Sequence, residues 1–135
     1  MSVKIKGKYV GGLRCQLNHE PSSNTINTDA PLDNQGQGET FSPTDLVAAA
    51  LGSCMLTIIA IKAKARKIEI NQPKLSIEKH MNSAPRKIER VKITIEFDTV
   101  LSEENRKYLE AEAKKCPVAL SLNAELTQEV IFKYA

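Results

Sequence analysis

The chain has 135 residues, 26% of them charged and 41% hydrophobic, with 19 Lys+Arg against 16 Asp+Glu for a net charge of +3. This is the makeup of one ordinary globular domain, expected to span residues 1–135, and it excludes intrinsic disorder as the main state. So mild a charge does not point to nucleic acid or a membrane surface, and with no Trp and 4% aromatics a base-stacking platform is not expected.

Met1 to Gly7 carries Lys4 and Lys6 but no apolar run, so no secretory signal is expected there. Two strands are predicted on either side of Gly11-Gly12, from Lys6 to Val10 and from Leu13 to Leu17. Residues 18–42 form a long polar stretch rich in turn formers, interrupted by a short extended piece at Thr25–Thr28. Such a loop inside a small domain is more often functional than idle.

A helix is predicted from Ser42 to about Arg66. Ser42 suits the N-cap, Pro43 the first helical position and Asp45 the acid of a capping box. The apolar run Leu46–Ile61 within it counts 16 residues, short of the ~20 that a membrane span wants, so no membrane partner is expected. It reads instead as a long helix buried in a soluble protein.

Strand pieces follow at Ile68, Ile70, Leu75, Ile77 and Lys79, then a turn at Asn82–Pro85. Val91, Ile93, Ile95 and Phe97 alternate with polar residues and predict a strand buried on one face. Ser102, followed by Glu103 and Glu104, caps a second helix reaching about Lys115, which Cys116-Pro117 breaks. A last strand carries Val130, Phe132 and Tyr134. The order predicts an α+β fold with mostly antiparallel sheets around a long central helix. That helix is apolar all round, one sheet covers one side of it, and a second copy of the chain is the simplest cover for the other.

Three cysteines are too few and too scattered for a disulfide scaffold, which agrees with a reducing, cytoplasmic location. Cys54 lies among Leu51, Met55 and Leu56. It is either a small packing residue or a thiolate in a partly apolar pocket beside a cation. Cys116 either ends a helix or caps a short turn starting at Pro117, where a helix N-terminus and Lys114-Lys115 would lower its pKa. If the two thiols touch, they form a dithiol able to cycle through a sulfenic acid and a disulfide. Cys15 reads as a structural thiol. Arg14 is either a solvated strand charge or the permanent cation that holds a thiolate. His19 and His80 lack metal-ligand spacing, so no metal is expected, and no nucleotide or other cofactor motif is present.

The run Phe41-Ser42-Pro43-Thr44-Asp45-Leu46-Val47-Ala48-Ala49-Ala50-Leu51-Gly52-Ser53-Cys54, with Cys116-Pro117-Val118 downstream, resembles the OsmC/Ohr family of osmotically inducible and organic hydroperoxide resistance proteins, in its general OsmC-like branch. Thr28-Asp29-Ala30-Pro31 and Leu101-Ser102-Glu103-Glu104 also fit. The resemblance implies an intertwined homodimer with two long helices at its centre. It implies a thiol-dependent peroxidase that reduces organic hydroperoxides in oxidative-stress defence, with dithiol reductants of the lipoyl type in the Ohr branch. Cys54 is then the peroxidatic thiol, Cys116 the resolving thiol and Arg14 the family arginine. One departure stands out: the position after the helix-start proline, a glutamate in classical members, is Thr44, and the acid comes one residue later as Asp45. That departure motivates an alternative, a non-peroxidatic dimer that binds a small apolar ligand or senses thiol redox state.

Overall fold

The computed structural model describes all of residues 1–135, in two compact units, Met1–Val47 and Ala48–Ala135. The first is built on an antiparallel sheet in the order β1 (Ile5–Gly11), β2 (Arg14–His19) and β3 (Asn24–Asn27). The turn between β1 and β2 runs through Gly11, Gly12 and Leu13, all at positive φ (88°, 61° and 62°), which the predicted glycine pair makes possible. The extended piece anticipated near Thr25 is β3, paired with β2 from Gln16↔Asn27 to His19↔Asn24. After β3 the chain makes a closed loop with one turn of 3-10 helix at Leu32–Asn34. The loop's ends meet where the Asp29 N–H donates to the Phe41 carbonyl (3.1 Å).

Helix α1 (Pro43–Ala65) starts where the sequence places it. The Asp45 N–H donates to Ser42 Oγ (3.1 Å) and the Ser42 N–H donates to Asp45 Oδ2 (2.9 Å), a reciprocal capping box with Asp as its acid. Its 23 residues exceed the apolar run counted in the sequence, and by length and mean hydropathy (2.0 over 18 residues) it would reach across a membrane. Core helices of soluble proteins share that property, and α1 is a core helix. Ala48, Leu51, Met55, Ile59 and Ala63 form a buried stripe at helical spacing. Only 33% of the most apolar window is buried within the chain, so the other faces of α1 are left uncovered.

The second sheet has the order β4 (Lys74–Ser83), β5 (Arg86–Glu96) and β6 (Thr127–Lys133). β5 buries Val91, Ile93 and Ile95 completely and joins the α1 stripe in one core with Phe97, Leu101, Leu109 and Ala113. Ile68 and Ile70 differ from expectation. They pack against this core as irregular chain ahead of β4, not as a strand, because the helix exit passes through left-handed Lys67 and Asn71 (φ 56° and 52°). β6 pairs with β5 in parallel, the exception to a mostly antiparallel pattern. That pairing requires a crossover, and α2 (Glu103–Ala113) and α3 (Pro117–Ser121) supply it. Gly52 allows α1 to lie close on β4: a Cβ there would stand 2.5 Å from Ile77 Cδ1.

Candidate thiol site

Cys54 sits about three turns into α1 and is half-buried, with its side chain against the core. Cys116 is completely buried at the end of the α2 segment. The fold brings the two together: the Cys54 side chain lies near enough to the Cys116 thiol to raise its pKa, and both are free thiols. This juxtaposition rests on the crossover, which carries Cys116 back over the helix that holds Cys54.

Cys116 is also the N-cap of α3, with Pro117 at the first helical position as the sequence suggests. Its sulfur accepts the Ala119 N–H at 3.3 Å. The expected depression of its pKa does not occur. Burial pushes the thiol up and outweighs the lowering by the Ala119 N–H, and the contact with Cys54 raises it further. Lys114 and Lys115 are exposed to solvent, and Lys115 reaches back toward Glu112 at 3.9 Å. Cys116 therefore holds its proton more firmly than an ordinary thiol.

Arg14 begins β2 in the first unit, where it meets two acids. One Nη2 donates to Asp29 Oδ2 at 3.4 Å and to Glu39 Oε2 in a very short contact. These carboxylates raise the guanidinium pKa, the Glu39 hydrogen bond most of all. Asp29 is buried beside β3 and also accepts the Glu39 N–H on Oδ2 at 3.1 Å, while its Oδ1 has no partner. Gly36 holds this loop tight, since a Cβ there would stand 1.7 Å from the Ala30 carbonyl oxygen. Sequence reasoning did not single out Asp29 or Glu39 as site residues. Both fall in the polar stretch, where no periodicity separates a buried acid from a solvated one. Asp45 is engaged in the capping box, and the Thr44 hydroxyl lies 3.2 Å from Ser42 Oγ. Cys15, next to Arg14, is exposed on β2.

The first unit also holds an open cavity of about 350 Å³ lined by Ile26, Asn27, Thr40, Phe41 and Leu46. Apolar walls with two amide or hydroxyl groups suit an apolar molecule that bears one polar function.

The family described as OsmC-like protein matches residues 36–130, which include both cysteines of the pair. The chain belongs to the OsmC-like protein family. A crystal structure from Psychrobacter arcticus 273-4, provisionally described as an osmotic stress induced and detoxification response protein, is similar to this OsmC-like chain at 45% identity and a TM-score of 0.91, covering 95% of this chain and 93% of that one. An organic hydroperoxide resistance protein OsmC of Legionella pneumophila superimposes with a TM-score of 0.80 at 19% identity, covering 98% and 97% of the two chains. The organic hydroperoxide resistance protein OhrB of Bacillus subtilis does so with a TM-score of 0.71, also at 19% identity and over 98% of each chain. At that identity the last two establish the shared α+β fold of the OsmC-like chain. A search of curated proteins finds no match.

Proposed function

We propose that this OsmC-like protein is a cytoplasmic thiol peroxidase that reduces organic hydroperoxides in oxidative-stress defence. The observation that carries this reading is the proximity of Cys54 and Cys116, two free thiols, the second of them buried and with its pKa raised. The Cys54 thiolate attacks the peroxide O–O bond. Its sulfur becomes a sulfenic acid, and the leaving alkoxide takes up a proton to become an alcohol. Cys116 then condenses with the sulfenic acid, forming the Cys54–Cys116 disulfide and releasing water. An external dithiol, of the lipoyl type by family resemblance, reduces the disulfide and is itself oxidised. Arg14 serves as the cation for this chemistry, a role it takes from the family resemblance and for which its permanent charge suits it.

The active form is a homodimer. The uncovered faces of α1, with Ile61 exposed, and the exposed Ile5, Tyr9, Val10, Ile26 and Phe41 of the first unit support a second copy as their cover.

Mass spectrometry of the reduced protein before and after one equivalent of cumene hydroperoxide tests the cycle. A loss of two hydrogens mapped to Cys54–Cys116, with a trapped sulfenic acid at Cys54 in Cys116→Ser, is expected. Thiols that all stay reduced over minutes would overturn it. The cavity lined by Ile26, Phe41 and Leu46 then favours the second reading, a dimer that binds a small apolar ligand without turnover.

A further inference from the structure

β6 turns three residues to the core side of its sheet, and one of them is polar. Val130 pairs with Ile93 and Phe132 with Ile95, and both β6 side chains pack against the core. Gln128 takes the same register opposite Val91, which is completely buried. An amide on that face is unfavourable unless it is hydrogen-bonded. Gln128 is half-buried, and its Nε2 donates to the Ala119 carbonyl at 3.1 Å.

That carbonyl belongs to α3, the five-residue helix capped by Cys116. The other hydrogen bonds of α3 are internal. The Leu120 N–H donates to the Cys116 carbonyl (3.1 Å), Ser121 Oγ to the Pro117 carbonyl (2.7 Å) and the Ala119 N–H to Cys116 Sγ (3.3 Å). A helix this short is at best marginal alone, so its hold on the fold comes from outside. Val118, Ala119 and Leu122 pack against the core, and the Gln128 amide adds the polar tie. Gln128 and Cys116 thus meet on one residue, since Ala119 gives its N–H to the sulfur and its carbonyl to the amide. We propose that Gln128 is a positioning residue for Cys116, which ties α3 to the sheet and so keeps the resolving thiol buried beside Cys54. The proposal rests on the peroxidase reading given above. In the step it serves, the Cys116 sulfur bonds to the Cys54 sulfur and the S–O bond of the Cys54 sulfenic acid breaks. The hydroxyl leaves as water with the Cys116 proton. The tether grips a carbonyl and not the sulfur, so it holds the thiol in reach without occupying it.

The test uses the full chain with Gln128, Gln128→Leu or Gln128→Glu. The first readout needs no activity. It is the rate at which dipyridyl disulfide labels Cys116, mapped by mass spectrometry in a Cys54→Ser background so that the label stays where it forms. Gln128→Leu suits the apolar face and removes the donor. It is expected to label Cys116 roughly threefold to tenfold faster, as the loss of one hydrogen bond implies, with stability to urea unchanged or raised. Gln128→Glu carries a donor only when protonated, so against Gln128 at the same pH it is expected to label alike at about pH 4 and faster at about pH 8. The second readout, with all cysteines present, is the lifetime of the Cys54 sulfenic acid after cumene hydroperoxide, read by dimedone capture. Gln128→Leu is expected to lengthen it roughly threefold to tenfold. Cys116 labelling unchanged in Gln128→Leu, faster labelling that only tracks a loss of overall stability, or a Gln128→Glu with no pH dependence of its own would overturn the positioning role. So would a sulfenic acid resolved as fast in Gln128→Leu as with Gln128. Wild-type thiols that never oxidise would overturn the peroxidase reading instead, and the labelling would still decide whether Gln128 seats Cys116.

Discussion

The sulfur of Cys116 that meets Cys54 is the same atom that caps α3, accepting the Ala119 N–H at 3.3 Å. One atom therefore links the reactive pair to the local structure of the crossover. A disulfide to Cys54 would compete with the Ala119 N–H for that sulfur.

Amide exchange reads this link directly. The Ala119 amide is expected to exchange faster in the oxidised protein than in the reduced one, while α1 amides stay protected. A thiol cap is a weak member of a class worth about 0.5–2 kcal/mol, so the acceleration is roughly twofold to fivefold. Equal protection in both redox states would show that the cap survives oxidation.

The proton held by Cys116 sets a pH dependence. Its folded pKa is raised above the ordinary 9.0, so the folded protein binds this proton more tightly than the unfolded chain does. The resulting stability is fully present below the ordinary value and is lost as pH rises through the folded value. Urea unfolding is expected to show stability falling above about pH 9, by at most about 1.4 kcal/mol per pH unit from this group. Cys116→Ser removes that component, and the comparison isolates it from Tyr134, whose phenol is also pushed up by burial and by its bond to Glu110.

The capping box separates a structural role for Asp45 from a chemical one. Asp45→Ala and Ser42→Ala are each expected to cost about 0.5–2 kcal/mol by thermal or denaturant unfolding. Both are expected to leave the rate of peroxide-driven disulfide formation within about twofold of wild type. A large rate loss at Asp45→Ala with unchanged stability would move this residue into the chemistry.

Gly52 offers a packing test. Alanine gains about 1 kcal/mol of helix propensity there, but its Cβ would stand 2.5 Å from Ile77 Cδ1 and 2.9 Å from Ile77 Cγ1. Overpacking of that kind costs about 1–3 kcal/mol, so Gly52→Ala is expected to be destabilising by up to about 2 kcal/mol. Adding Ile77→Ala is expected to return part of that loss, a coupling that a double-mutant cycle measures.

Much of this was legible in the sequence because the signals are local. Ser42-Pro43 with Asp45 fixes the start of α1, the alternation from Val91 to Phe97 marks β5, and Pro117 after Cys116 announces a short capped turn. What escaped was non-local. Nothing near Thr127 shows that β6 runs parallel to β5, since strand direction follows from how the crossover packs and not from the strand's own pattern. The Cys116 pKa went the other way for a similar reason. The lysines beside it and the helix end above it are visible in sequence, whereas complete burial among core side chains is a property of the whole unit. Asp29 was hidden likewise, because its burial depends on a loop closing over it.

The parallel pairing of β6 has a consequence for the energetics of the proposed cycle. Cys54 and Cys116 lie 62 residues apart in the chain, and only the completed crossover makes them neighbours. A bond between them would tie off a ring of that size in the unfolded chain and, by chain entropy, disfavour unfolding by about 4 kcal/mol. The spent form of the protein is then its most heat-resistant form. Each reduction gives up that margin, so the dithiol that resets the site also works against the stability of the fold it restores.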